Sequence, residues 1–300
     1  MAAIGGEVSR PLKYLYIFYD CEATGGDRRS DRIIEIGAVV TSKSGARPSS
    51  ADTFQSLCFC EREISPVARE LTGLTNWDLR HEPPLEEVLR QFFEWVGERV
   101  AEADRERGEH YTPVLVAHGG FHMDFPMLLA EMERLSGGYQ FALSHRLYRK
   151  MQSLNIHFGD SYLTCKHLEE NSDFLLAGVE KKGLESLYQA FFHEKHSGHR
   201  ALDDARALHR LFTESPLKLR LEQMRLKSAR EAYDHWKAIQ LTKAGITFPK
   251  GRKLVSEGVY LEHMESSYQQ SSSTFRDYLK GKGIHRPSAE LMQYFESQDH

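Results

Sequence analysis

The chain has 300 residues, 40% of them apolar and 27% charged, which excludes a disordered tail and fits a soluble globular protein. No apolar run approaches about 18 residues, so no transmembrane helix is expected, and the N-terminus lacks the basic and apolar segments of a signal peptide. With 39 basic against 43 acidic side chains, the formal charge of −4 taken alone argues against a simple basic nucleic-acid binder.

Residues 14–19 (YLYIFY) form a short apolar, aromatic run that predicts a buried central strand. Asp20 and Glu22 follow at once, and Gly25-Gly26 signals a turn. Residues 33–40 (IIEIGAVV) and 54–60 predict two more strands, giving an antiparallel meander. From 84 to 103 the period becomes helical: Leu85, Val88, Leu89, Phe92, Phe93, Val96 and Val100 recur at helix spacing behind a proline. PVLVA at 113–117 returns to a buried strand, and 125–135, 182–193 and 201–213 to amphipathic helices. The pattern implies an α/β fold, a mixed sheet flanked by helices.

Pro216 opens a different region, and the boundary is placed near 215. Residues 217–241 predict one long helix, 266–274 (SSYQQSSST) a flexible polar linker, and 287–296 a short last helix. No internal repeat is visible. Four cysteines make no disulfide framework, and without a CxxC pair Cys21, Cys58, Cys60 and Cys165 make a poor zinc site. Reduced, structural thiols and an intracellular compartment follow, nucleus or cytoplasm alike.

Asp20 and Glu22 stand two apart at a strand end, so both side chains point to one face. Two like charges there need compensation unless they are simply solvated, and carboxylate oxygens suit Mg²⁺ or Mn²⁺. Asp204 precedes Leu208 by four residues and Leu211 by seven, which puts it on the inner face of its helix, either as a functional acid or as a cap or ion-pair member. Asp203 falls on the polar side with Arg206 and Arg210. Asp124 ends PVLVAHGGFHMD just before a helix, where an N-cap and a functional role are equally open.

In order along the chain, DCEATGG, HGGFHMD and HRALDD resemble the DEDDh family of 3′–5′ exonucleases on the ribonuclease H-like fold. Residues 64–80 resemble the family's helix-and-turn segment, 159–163 (GDSYL) its Asp-Thr/Ser segment, and 183–192 its penultimate helix. AHGGFHMDFP is similar to the three-prime repair exonuclease branch. The promyelocytic leukaemia protein exonuclease-like branch is a second candidate, because of the extension. The resemblance covers residues 12–215 as a catalytic domain and leaves 216–300 as a helical, basic extension. One departure stands out: Gly119 replaces the family's asparagine, which leaves open a catalytically weak or inactive module that binds nucleic acid or protein.

The resemblance implies an enzyme that removes nucleotides from the 3′ end of single-stranded or frayed nucleic acid, DNA ahead of RNA, releasing nucleoside 5′-monophosphates. It implies two Mg²⁺ or Mn²⁺ ions. Asp20, Glu22 and Asp204 would hold one, with Asp20 bridging, and Asp124 would help position the second. His199 would be the general base, since an imidazole of ordinary pKa (about 6.5) accepts a proton near neutral pH. The backbone at Ala23 and Thr24 would meet the terminal 3′-OH, Leu74 would wedge against the last base, and Phe121 or Phe125 would stack on bases unless they merely pack. His118 would touch a phosphate or pack. His122, His193 and His196 are expected as surface or loop histidines.

The charge is unevenly spread. Residues 216–253 carry ten Lys or Arg against three acids, a surplus of +7 that leaves −11 for the rest of the chain. The extension therefore reads either as a basic arm that guides a phosphate backbone or as a helix with a solvated basic face. PKGRK at 249–253 is read as a solvated loop. No membrane partner is expected, and the oligomeric state is open.

Overall fold

Strand β1 (Lys13–Ala23) lies at the centre of a six-stranded mixed sheet. The computed structural model describes residues 12–41, 48–138, 143–171, 173–196, 198–270, 272–282, 284 and 287–297. Strands β2 (Ile33–Val40) and β3 (Thr53–Leu57) continue from β1 as the expected antiparallel meander. On its other side β1 pairs in parallel with β4 (Tyr111–Ala117), and β4 with β5 (His157–Asp160). A two-residue strand, β6 (Lys227–Ser228), closes the far edge antiparallel to β5. The order is β3-β2-β1-β4-β5-β6, and the fold is the α/β sandwich that the alternating periods imply.

Helices α1 (Pro66–Thr72) and α2 (Asn76–Leu79) precede α3 (Leu85–Arg107), and α4 (Asp124–Leu135), α5 (Arg146–Ser153) and α6 (Ser161–Glu170) follow in turn. After these come α7 (Leu184–Phe192) and α8 (Ala201–Glu214). The two-residue period of β1 decides its faces. Leu15, Ile17 and Tyr19 enter a core with Val88, Phe92 and Phe93 of α3 and Phe125 of α4, whereas Phe18 packs on the opposite face with Leu208 and Phe212 of α8. Helix α8 crosses β1 and β2 closely because position 37 is glycine: a Cβ there would come within 2.2 Å of the Ala201–Leu202 backbone.

The extension differs from its expected shape at three places. Instead of one helix over 217–241, a 3₁₀ segment (Pro216–Gln223) ends at Met224, and α9 (Ala229–Lys243) starts afresh. Ser228 and Glu231 cap that start reciprocally, and this signal outweighs the continuous apolar spacing. Residues 266–274 are not a linker: apart from residue 271, which lies outside the described residues, they fall in α11 (Leu261–Gln270) and α12 (Ser272–Gly281). Leu261, Met264, Phe275 and Leu279 bury there with Leu291 and Phe295 of α13 (Ala289–Glu296), so flanking apolar anchors order the polar stretch. PKGRK likewise lies in a helix, α10 (Phe248–Ser256), not a loop. Helix α9 joins both cores, with Trp236 in the first and Leu241 in the second. Tyr233 and Lys237 of α9 both bind Glu133 of α4, the tyrosine at 2.7 Å and the lysine in a buried ion pair. All four cysteines are free.

Candidate active site

Asp20 and Glu22 share the β1 face that carries Phe18, as the strand period requires. Asp20 stands opposite Gly37 and Glu22 opposite Glu35, with a register shift after Glu22. Asp204, in the first turn of α8, meets them from above: ligand oxygens of Asp20, Glu22 and Asp204 all lie within 4.8 Å of one another. Asp124 is not an N-cap. It is the first residue of α4, capped by Met123, and its Oδ1 accepts the Cys21 backbone N–H at 3.2 Å. The four acids proposed from sequence therefore sit around one end of β1.

Burial and like charge govern these groups. Burial, then the charges of Asp124, Glu22 and Asp204, lifts Asp20 well above the usual carboxylate range. Burial, followed by Asp204 and Glu35, pushes Glu22 up to about 8. Burial outweighs the amide hydrogen bonds at Asp124 and raises it to about 7. Crowded carboxylates of this kind are what a divalent cation neutralises, and an all-oxygen donor set suits Mg²⁺ or Mn²⁺.

His199 reaches the cluster through its backbone. Its N–H donates to Asp204 Oδ2 at 2.8 Å, while its exposed ring points to Glu185, 3.9 Å away. The residue has φ +81°, a left-handed conformation uncommon for a side-chain-bearing residue. His196 lies in a loop, as expected, but its ring turns inward: its Nε2 hydrogen-bonds Asp204 Oδ1, and that bond holds its pKa above the ordinary value. Sequence reasoning also missed Glu35. Its carboxylate, fully buried, receives Arg200 at 2.8 and 2.9 Å, the Ala201 N–H at 3.2 Å and Gln55 at 2.8 Å. The available signal was one acid inside IIEIGAVV, where burial demands partners.

The proposed substrate contacts divide. Ala23 lies at the register shift, 8% exposed. Thr24 donates its N–H to Arg32 and accepts from Ser65 through its carbonyl, and its hydroxyl bonds Asp31, so its polar groups serve the loop. Leu74 packs with Ile34, Ile64 and Leu79 and presents little surface to a base. His118 is a packing residue: Nδ1 meets Ser161 at 2.9 Å and Nε2 the Lys182 carbonyl at 2.7 Å. Phe125 is sealed in the core between Tyr19 and Phe158, which rules out base stacking in this conformation. Phe121 is nearly buried but lines a cavity. Gly119 has φ +75°, a conformation that glycine takes freely and asparagine tolerates best among other residues. The turn is fastened by Asp160, which accepts the N–H groups of Gly119 and Phe121 at 3.1 and 3.0 Å.

The Exonuclease family model matches residues 17–109. DNA polymerase III subunit epsilon of Treponema pallidum is 29% identical over 195 residues, 65% of this chain and 73% of the relative. Three prime repair exonuclease 2 of Mus musculus is 31% identical over 138 residues, 42% of this chain and 55% of the relative. DNA polymerase III PolC-type of Bacillus subtilis is 35% identical over 85 residues, so this chain spans only 6% of that relative. Among solved structures, the nuclease domain of 3′hExo, a DEDDh family member bound to rAMP, is similar over 72% of this chain and 96% of that one. Its TM-score of 0.50 at 17% identity is a likeness of fold. Among the described residues no helix is long and apolar enough to cross a membrane.

Proposed function

We propose that this chain, which matches the Exonuclease family model over residues 17–109 and is similar to a polymerase III epsilon subunit and to a three prime repair exonuclease, is a metal-dependent 3′–5′ exonuclease of the DEDDh kind acting on single-stranded or frayed nucleic acid, DNA ahead of RNA. The observation that carries the proposal is the convergence of Asp20, Glu22 and Asp204 within 4.8 Å, with Asp124 beside them. Names of the relatives support the direction, since they include a repair exonuclease and a polymerase subunit. Four free cysteines agree with a reducing, intracellular setting.

Asp20, Glu22 and Asp204 would hold one divalent ion and Asp124 would help place a second. Mg²⁺ or Mn²⁺ bound there supplies positive charge to the attacking and leaving oxygens of an in-line displacement. His199 takes the proton of the attacking water. The water oxygen bonds to phosphorus, the P–O3′ bond breaks, and a nucleoside 5′-monophosphate leaves a shortened strand with a 3′-hydroxyl. For this the His199 ring turns away from Glu185, a side-chain rotation that leaves its backbone N–H on Asp204. Arg200, anchored on Glu35, keeps the backbone beneath it in place.

The test is release of mononucleotides from a 3′-labelled oligonucleotide with Mg²⁺, with Mn²⁺ and with EDTA. Metal-dependent release is expected. A wild type inert with both metals defeats the proposal and favours a non-catalytic binding module.

A further inference from the structure

The sheet edge built by the extension encloses a cavity of about 410 Å³. Its walls include Phe121, Gln223, Arg225 and Lys227 on one side and Lys166 and His167 of α6 on the other. Lys227 pairs in register with Phe158 of β5, so the short strand β6 fixes its place. Its Nζ sits 3.7 Å above the Phe121 ring centroid and 3.1 Å from His235 Nδ1.

Cations outnumber acids at this cavity, with Lys166, Arg225 and Lys227 against Asp160 and Glu170. Among the described residues Lys166, Arg225, Lys227 and Arg252 form no ion pair with a carboxylate. Asp160 lines the cavity but spends its carboxylate on the N–H groups of Gly119, Phe121 and Leu163. Glu170 lies at the wall with an exposed side chain. Burial and the nearby Arg252 hold Lys227 down to about 8, and burial with Lys227 and Arg252 holds His235 down to about 4. Asp160 and Glu231 offset this at Lys227 only in part, and a cation held among other cations gains from an anion.

Position gives the anion its identity. The cavity opens at Asp160, at the C-terminal end of β5, and Asp20 and Glu22 stand at the same end of parallel β1, two strands away. At about 4.8 Å per strand that is roughly 10 Å within the sheet plane, and Lys227, in register with Phe158, lies on the Phe125 side of the sheet while Asp20 and Glu22 lie on the α8 side, so the two places would receive phosphates of different nucleotides.

We propose that Arg225 and Lys227 of the extension, with Lys166 of α6, form a phosphate-binding subsite for the substrate strand, upstream of its 3′ end. The subsite rests on the exonuclease reading of the acids, and it makes the extension part of the substrate path.

Binding of a fluorescently labelled single-stranded oligonucleotide to the full chain tests it, measured in EDTA at several salt concentrations. R225Q/K227Q is expected to weaken binding about tenfold and to reduce the slope of log K against log salt by about 1.4, since each neutralised single-strand phosphate contributes about 0.7. The charge-matched pair K150Q/K280Q, on exposed helix positions elsewhere, is expected to leave the slope in place. Equal loss in both pairs, or none in the first, overturns the subsite. The exposed single variants R225Q and K166Q guard against misfolding at Lys227; each should lower the slope by about 0.7, and unchanged slopes in both overturn the proposal. Nucleotide release by the wild type is assayed separately. Its absence defeats the exonuclease reading, while the binding arm judges the subsite by itself.

Discussion

Glu35 and Arg200, 165 residues apart, form a two-bond ion pair across β2 and the start of α8, with the carboxylate fully buried. His199 precedes Arg200, so this pair sets the backbone from which the proposed base acts. Glu35→Ala leaves Arg200 and the Ala201 N–H without their acceptor. A loss of about 2–3 kcal/mol in stability is expected, since hydrogen bonds to charged groups are involved. Nucleotide release should fall at least tenfold at a temperature where the variant is folded. Denaturant melts and release rates check both, with Asp203→Ala, exposed on the other side of α8, as the silent comparison. A Glu35→Ala protein with wild-type release would separate the pair from catalysis.

Metal dependence should change with pH. Glu22 titrates near 8 and Asp124 near 7 in the folded, metal-free chain, against about 4 when unfolded. Between these values the folded state holds more protons, so stability falls as pH rises and the cost is complete above about pH 8. In EDTA the Tm should be several degrees lower at pH 8 than at pH 6, and Mg²⁺ or Mn²⁺ should raise it more at pH 8. Glu22→Gln should flatten the metal-free pH slope. Thermal melts in both buffers decide; a metal response equal at the two pH values contradicts the assignment.

Asp20→Asn separates catalysis from folding. The variant removes one of the crowded charges, so its metal-free Tm should equal or exceed that of the wild type. Release of mononucleotides should vanish, and the metal-induced rise in Tm should shrink. Retained release would remove Asp20 from the metal site.

How far the sequence carried this depends on which contacts are local. Period two in β1 placed Asp20 and Glu22 on one face, and period 3.6 put Asp204 on the inner face of α8, because each element's own repeat decides orientation. The bond from Cys21 to Asp124 spans 103 residues and no local repeat contains it. Glu35 looks like a stray acid until Arg200 arrives from α8. His196 and the break at 224–228 depended on loop and capping geometry, and the polar run at 266–274 was ordered by apolar residues outside it. For Phe125 and His118 the sequence leaves substrate contact and packing both open, and long-range packing decides for both.

Two glycines separate a steric requirement from a conformational one. A Cβ at position 37 would meet the Ala201–Leu202 backbone at 2.2 Å, and backbone cannot give way as a flexible side chain can. Gly37→Ala should therefore push α8 off β2, cost about 1–3 kcal/mol as overpacking does, and displace Asp204 enough to reduce release. At Gly119 a Cβ meets nothing within 4 Å, and only φ +75° restricts the choice. Asparagine tolerates that region, so Gly119→Asn should change stability by less than about 1 kcal/mol and keep release at or above the wild-type rate. Denaturant melts and single-turnover release of the two variants side by side measure this. A Gly119→Asn protein destabilised as much as Gly37→Ala would mean that the turn at 118–121 is closed to any side chain, and that the family's asparagine sits in a different backbone.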